Sequence, residues 1–250
     1  MMNAPEQLHQ FDHANAGYRV LSRVSRDDAE RLLEQVLNHQ LDFDQVLKDR
    51  AKCLVARFSH PDKGWLVLKV PRARTNRKWE RFLTLFRPGE GFRQICNMQE
   101  LERLKLKGPR PVLAAEKRRA GVVVDSFYIY SFIDGREGVS ADLPAIVETL
   151  LPLYRQGYCR TDPRVANHII NDDGVHLIDF RIRRPFLLGR LRCAMELCQL
   201  AGDRLYAVRI GNDAGYSTAL MRSAWRVKRV AQWFRKAKQR LRKRILRQSH

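Results

Sequence analysis

The stretch from Thr161 to Phe180, TDPRVANHIINDDGVHLIDF, leaves the chain few ways to fold. An apolar run precedes Asn171-Asp172-Asp173-Gly174, and a second, VHLIDF, follows it. That pattern predicts two short strands around a tight turn. The chemistry-bearing side chains stand at the outer ends of this unit. Asp162 and Asn167 lie before the first strand, and Asp179 closes the second. A hairpin of this length carries Asn167 and Asp179 to neighbouring strand ends, close enough to share a metal ion.

Phosphoryl transfer from a nucleotide needs such a set. One carboxylate orients or deprotonates the attacking hydroxyl, while an amide oxygen and a second carboxylate hold Mg²⁺ on the phosphates. Magnesium prefers oxygen ligands and keeps some of its waters. Upstream, Lys69 in WLVLKV is a lysine inside an apolar strand. Such a lysine suits the α- and β-phosphates of a nucleotide, and burial demands an anionic partner. Glu100, on the next predicted helix, is the natural partner, with Glu102 as the fallback. The two are two residues apart and point to different helix faces, so both cannot serve. Tyr130–Gly135, YSFIDG, reads as a strand running into a hinge, where backbone groups of Ser131 and Ile133 can meet an adenine edge.

Around these residues the hydrophobic patterning changes character once. Residues 26–40 predict an amphipathic helix with Ser25 as N-cap and Asp27 and Asp28 in its first turn. Strands are expected at 41–47, 53–59, 65–70, 112–118 and 121–133. A long helix is expected from Phe92 until Gly108 and Pro109 stop it. After residue 134 helical spacing dominates. The expected division is 1–133 as a sheet-bearing lobe, 134–220 as a helical lobe with the catalytic loop, and 221–250 as a basic tail.

Bulk properties narrow the partners. The 250 residues are 44% hydrophobic, enough for a sizeable core, and carry a formal net charge of +20. Such an excess draws the chain to polyanions: nucleic acid, an anionic membrane or a phosphorylated substrate. No apolar run approaches the roughly 20 residues that cross a bilayer, and the N-terminus lacks a secretory pattern, so a cytoplasmic location is expected. Five scattered cysteines with no C-x-x-C pair argue against disulfides and zinc.

Taken together, WLVLKV, TDPRVANHI and the IDF-R segment resemble the lipopolysaccharide core heptose kinases, most closely the heptose(II) kinase branch. The resemblance covers most of the chain and implies an α+β, bilobal protein-kinase-like fold: an antiparallel-sheet N-lobe, a helical C-lobe and a basic amphipathic C-terminal helix. It implies an ATP- and Mg²⁺-dependent transfer of phosphate to an inner-core heptose. Asp162 becomes the catalytic base, Asn167 and Asp179 the Mg²⁺ ligands, and Lys69 with Glu100 the phosphate clamp. Three departures stand out. Thr161 replaces the arginine of H-R-D, Arg181 replaces the glycine of D-F-G, and the 48–52 loop, KDRAK, has no glycine. Lys48, Arg50 or Lys52 then substitute as charges for close backbone approach.

The segment after Asp179 is short, which favours a small-molecule or glycan acceptor over a protein. Arg181, Arg183 and Arg184 are placed to meet phosphate already on that acceptor. Residues 221–247 contain no acid; Val227, Val230, Phe234, Ala237, Leu241 and Ile245 form one stripe. A helix of that kind lies in an anionic membrane interface or packs on the helical lobe. The expected partners are a lipid A-core glycolipid and an anionic membrane, with no specific nucleic acid. The expected place is the cytoplasmic face of a Gram-negative inner membrane. The alternatives are a kinase of another sugar or small molecule, and a pseudokinase that binds membrane or nucleic acid through its basic surface.

Overall fold

The computed structural model describes residues 7–72, 78–160, 163–185 and 187–248. Its first unit runs through Gly135 and takes in His176–Ile178; the second holds the rest. The fold is α+β, with antiparallel sheet in the first unit and mainly helices in the second.

The first unit opens with a hairpin of β1 (His9–His13) and β2 (Tyr18–Ser22), followed by α1 (Arg26–Leu37). Strands β3 (Phe43–Arg50), β4 (Cys53–His60) and β5 (Gly64–Val70) form a meander. Helices α2 (Lys78–Leu83) and α3 (Glu90–Arg103) then precede β6 (Pro111–Arg119) and β7 (Val122–Ser131). All seven strands join one sheet, in the order β1-β2-β6-β7-β5-β4-β3. The β1–β2 hairpin is an addition to the expected strands. Its first strand, HQFDH, is too polar and too short to stand out as β from the sequence.

Helix α1 forms as its pattern requires. Ser25 Oγ accepts a hydrogen bond from the Asp28 N–H at 3.2 Å, and Ala29, Leu32 and Leu33 make one buried face. That face meets Tyr18, Val20, Phe58, Leu66, Leu68, Leu113, Phe127 and Ile129. Because strand side chains alternate, Val67 and Lys69 turn to the opposite face of the sheet.

Helix α3 packs on β6 and β7. A Cβ at Gly91 would lie 2.9 Å from the Phe127 carbonyl oxygen, so glycine lets the helix backbone press onto the strand. The helix ends at Arg103 with Leu104 as its C-cap, short of the expected stop at Gly108. Leu104 and Leu106 continue an apolar pattern, but Lys105 adopts φ 58°. The Leu106 N–H bonds to the Leu101 carbonyl and the Lys105 N–H to that of Glu102. This paired closure satisfies the terminal carbonyls and buries Leu106, ending the helix without a glycine.

In the second unit, β8 (Arg136–Glu137) leads through a 3-10 turn at Ser140–Asp142 into α4 (Leu143–Arg155). Next come β9 (Cys159–Arg160), a 3-10 turn at Val165–Asn167, β10 (His168–Asn171), β11 (Gly174–Leu177, whose last two residues belong to the first unit) and β12 (Ile182–Arg183). Helices α5 (Gly189–Ala201), α6 (Arg204–Asp213) and α7 (Thr218–Gln248) complete it. Strands β11, β10 and β8 are neighbours in that order, and β12 pairs with β9. All five cysteines are free thiols.

Candidate active site

Lys69 occupies the penultimate position of β5, where Leu66, Val67 and Leu68 are buried and Lys69 itself is half-buried. It pairs across the ladder with Tyr128, and its Nζ lies 5.9 Å from the Tyr128 ring centroid. Tyr128 is buried, so the lysine stem has apolar surface beneath it and an aromatic face beside its charge. A cavity of 640 Å³ in the same unit is lined by Asp28, Asp42, His60 and Asp62. It opens on the α1 side of the sheet, the face opposite Lys69.

Helix α3 carries both candidate glutamates and sends them in different directions. Glu100 accepts two hydrogen bonds from Arg103, each 2.7 Å. Glu102 is held by Arg23 at 2.6 and 2.7 Å, which commits it to the β2–α1 connection. The start of α3 is fixed by a residue with no outward sign in the sequence. Glu116, on β6 and 1% exposed, accepts the Gly89 N–H at 2.8 Å and Arg118 Nε at 2.8 Å. A carboxylate at a helix N-terminus satisfies an orphan donor and meets the positive end of the helix dipole.

At the end of β7, the Ser131 N–H bonds to the Arg110 carbonyl at 2.9 Å, and its Oγ accepts the Arg110 N–H at 2.8 Å. The Phe132 N–H goes to the Trp65 carbonyl. Arg57 lies between Trp65 and Phe132, 4.7 and 4.9 Å from their ring centroids. Ile133 is beyond this ladder. Of the two positions expected to meet an adenine edge, Ser131 has thus given its N–H to the sheet margin. The glycine-free turn is Ala51-Lys52, closed by the pair Arg50 and Cys53. Neither residue has a positive φ, so the turn needs no glycine; Lys48, Arg50 and Lys52 are all exposed.

In the second unit Asp162 falls, with Thr161, outside the described residues, but its flanks are buried: Arg160 before it and Pro163 after it. The Arg160 N–H and Nε both reach Glu196 of α5, the latter at 3.2 Å, and Tyr154 O–H donates to the same carboxylate at 2.8 Å. Arg160 also lies 2.8 Å from His168 Nε2. Arginine only donates, so Nε2 accepts, and Nδ1 must carry the proton given to the Val165 carbonyl at 3.0 Å. Burial, reinforced by Arg160, lowers His168 to about 4, keeping it neutral. Burial raises the Glu196 carboxyl to about 7, against the pull of Arg160. Sequence reading missed this network because its partners are 36 positions apart.

Asn167 ends the 3-10 turn, its N–H bonded to the Arg164 carbonyl, and β10 starts at the next residue. The Asn171 side chain accepts the Asp173 N–H at 3.1 Å, closing the expected turn between β10 and β11. Asp179 follows two residues after β11. It is exposed, with φ 52°, while Phe180 beside it is buried. A positive φ is uncommon at a non-glycine residue, and aspartate is among those that adopt it most readily. Here Phe180 is anchored in the core, and Ile182 pairs with Arg160 across β12 and β9. Asn167 directly precedes β10 and Asp179 follows β11 by two residues, so both positions flank the open end of this hairpin. Among the described residues no group of three His, Cys, Asp or Glu side chains forms a metal cluster. Asn167 and Asp179 supply oxygen donors of the kind Mg²⁺ accepts while keeping waters. Arg183 and Arg184, just beyond, are exposed.

No family model matches the chain, and no curated protein matches its sequence. Solved structures do resemble it. The structure of WaaP in complex with acyl carrier protein aligns with 86% of this chain and 98% of its own, at 13% identity and a TM-score of 0.47. The Rio2 kinase–ADP/Mg²⁺–phosphoaspartate complex from Chaetomium thermophilum aligns with 88% of this chain and 71% of its own, at 15% identity and a TM-score of 0.46. Rio2 kinase from the same organism gives 88%, 72%, 13% and 0.46 in another structure.

Proposed function

We propose that this chain is an ATP- and Mg²⁺-dependent kinase that phosphorylates a heptose of the lipopolysaccharide inner core, presented by the lipid A-core glycolipid at the cytoplasmic face of the inner membrane. The observation that carries the reading is Asp179: an exposed carboxylate with positive φ just past β11, whose neighbour β10 begins directly after Asn167.

Bound ATP supplies the γ-phosphoryl group, and Mg²⁺ offsets the charge on its phosphates. Asn167 and Asp179 would hold the metal through their oxygens. Lys69 would neutralise the α- and β-phosphates, with Glu100 fixing the ammonium. Asp162 would accept the proton of the heptose hydroxyl as that oxygen bonds to phosphorus and the bond to the leaving ADP oxygen breaks. Arg183 and Arg184 suit an acceptor that already carries phosphate. The test is mass spectrometry of deep-core lipopolysaccharide incubated with enzyme, ATP and Mg²⁺. Gain of one phosphate on a heptose, absent with Asp179→Asn, supports the assignment. Phosphate on another sugar, or only on free sugars, replaces the acceptor.

A second reading, a pseudokinase that binds membrane or nucleic acid through its basic surface, is favoured by the Ala51-Lys52 turn, which has no glycine to let backbone approach phosphates closely. It predicts that ATP with Mg²⁺ leaves the melting temperature unchanged.

A further inference from the structure

Helix α7 presents two faces with different fates. Met221 and Ala224 are fully buried. Met221 fills the space over Gly211 of α6, where an added Cβ would lie 2.4 Å from its sulfur, and its carbonyl faces Cys198 of α5. Lys228 donates to the Cys198 carbonyl and lies 4.4 Å from the Trp225 ring centroid. That carbonyl is in the last turn of α5, where a cation meets the negative end of the helix dipole. These three residues define the docked face.

The apolar stripe lies elsewhere. Val227, Val230, Trp233 and Phe234 are 42%, 54%, 65% and 61% exposed. At about 100° per residue, Val227, Val230 and Phe234 centre roughly a third of a turn away from Met221, Ala224 and Lys228. The stripe is thus not an extension of the docked face. Trp233 and Phe234 contact one another edge to face at 4.9 Å and make a single aromatic prominence. The sequence repeats the stripe as Ala237, Leu241 and Ile245, and the helix runs to Gln248. Between 221 and 247 stand twelve arginines and lysines and no acid. Among the described residues no helix is long and apolar enough to cross a membrane, so contact of this helix with lipid is peripheral.

We infer that α7 is a membrane-docking helix, pinned to the second unit by Met221, Ala224 and Lys228, which lays Val227, Val230, Trp233 and Phe234 into an anionic lipid interface. The occupant follows from the chemistry. An acid-free helix with an exposed aliphatic and aromatic stripe needs a surface that is negatively charged and apolar just beneath, and an anionic bilayer offers both. Duplex nucleic acid matches the charge but offers the stripe little apolar surface, and a second copy of this helix repels the first.

The test uses the full chain and no nucleotide or acceptor, so it succeeds or fails apart from the kinase reading. Wild type should co-sediment with vesicles of phosphatidylethanolamine and phosphatidylglycerol, weakly with pure phosphatidylcholine, and less as salt rises. Val230→Glu/Phe234→Glu, at exposed positions, should bind at least about tenfold more weakly with unchanged circular dichroism. A conservative variant guards against misfolding. Trp233→Phe should still bind, yet lose most of the tryptophan quenching that brominated lipid produces in wild type. Equal vesicle binding by the double glutamate variant overturns the inference. So does quenching that persists in Trp233→Phe, or tighter binding to duplex DNA than to anionic vesicles.

Discussion

Arg160, Glu196 and His168 form a buried hydrogen-bonded network, and the ionisation of its members makes a specific prediction. Glu196 rises from 4.5 to about 7 on folding, so its contribution is full below pH 4.5 and lost as pH rises through 7. His168 falls from 6.5 to about 4, so its contribution is full above pH 6.5 and lost as pH falls through 4. The two slopes oppose one another over nearly the same range, and wild-type stability should be close to flat there. Glu196→Gln removes one slope. Its unfolding free energy, followed by urea titration, should rise from pH 4 to 6.5, by about 1.4 kcal/mol per pH unit at most. A flat profile in the variant would show that His168 is not held neutral as described. Such pairs are invisible in sequence, because nothing near Arg160 signals a glutamate on α5. Lys69 and Asp179, by contrast, stand out in the sequence because each sits at a recognisable place in a local pattern: a lysine in an apolar strand, an aspartate closing a hairpin.

Helices and strands were read well where period and punctuation agree. Ser25, Asp27 and Asp28 announce α1, and the structure starts it at Arg26. Ser25→Ala should cost about 1 kcal/mol by thermal or urea unfolding; no change would mean another group caps the helix. The end of α3 was misread because Leu104 and Leu106 prolong its apolar period, whereas the left-handed turn at Lys105 is a backbone choice made by packing. Helix α3 offers a sharper check at Gly91. Alanine favours helix, but its Cβ would press on the Phe127 carbonyl. We expect Gly91→Ala to destabilise the fold by about 1–3 kcal/mol, read by urea unfolding. A more stable Gly91→Ala protein would show that α3 can lift from β7 without loss.

For the chain as a whole, the change near residue 134 was readable as a move from strand to helical spacing, and the structure divides its two units after Gly135, with His176–Ile178 returning to the first. That return comes from the Leu177 N–H bonding to the Lys107 carbonyl, a pairing across 70 residues that no local pattern signals. The net charge of +20 marks a polyanion partner without choosing one. On the docking role proposed for α7 that partner is an anionic membrane, and the proposed glycolipid acceptor would then be met on the same surface. Whether the chain transfers phosphate at all decides the rest. The measurement to make is Mg²⁺-dependent transfer of labelled γ-phosphate from ATP to purified deep-core lipopolysaccharide, wild type beside Asp162→Ala. Wild type should transfer, and Asp162→Ala should be slower by about 10²–10⁴-fold while melting at the same temperature. No transfer by wild type, with ATP and Mg²⁺ also failing to raise its melting temperature, would contradict the kinase assignment.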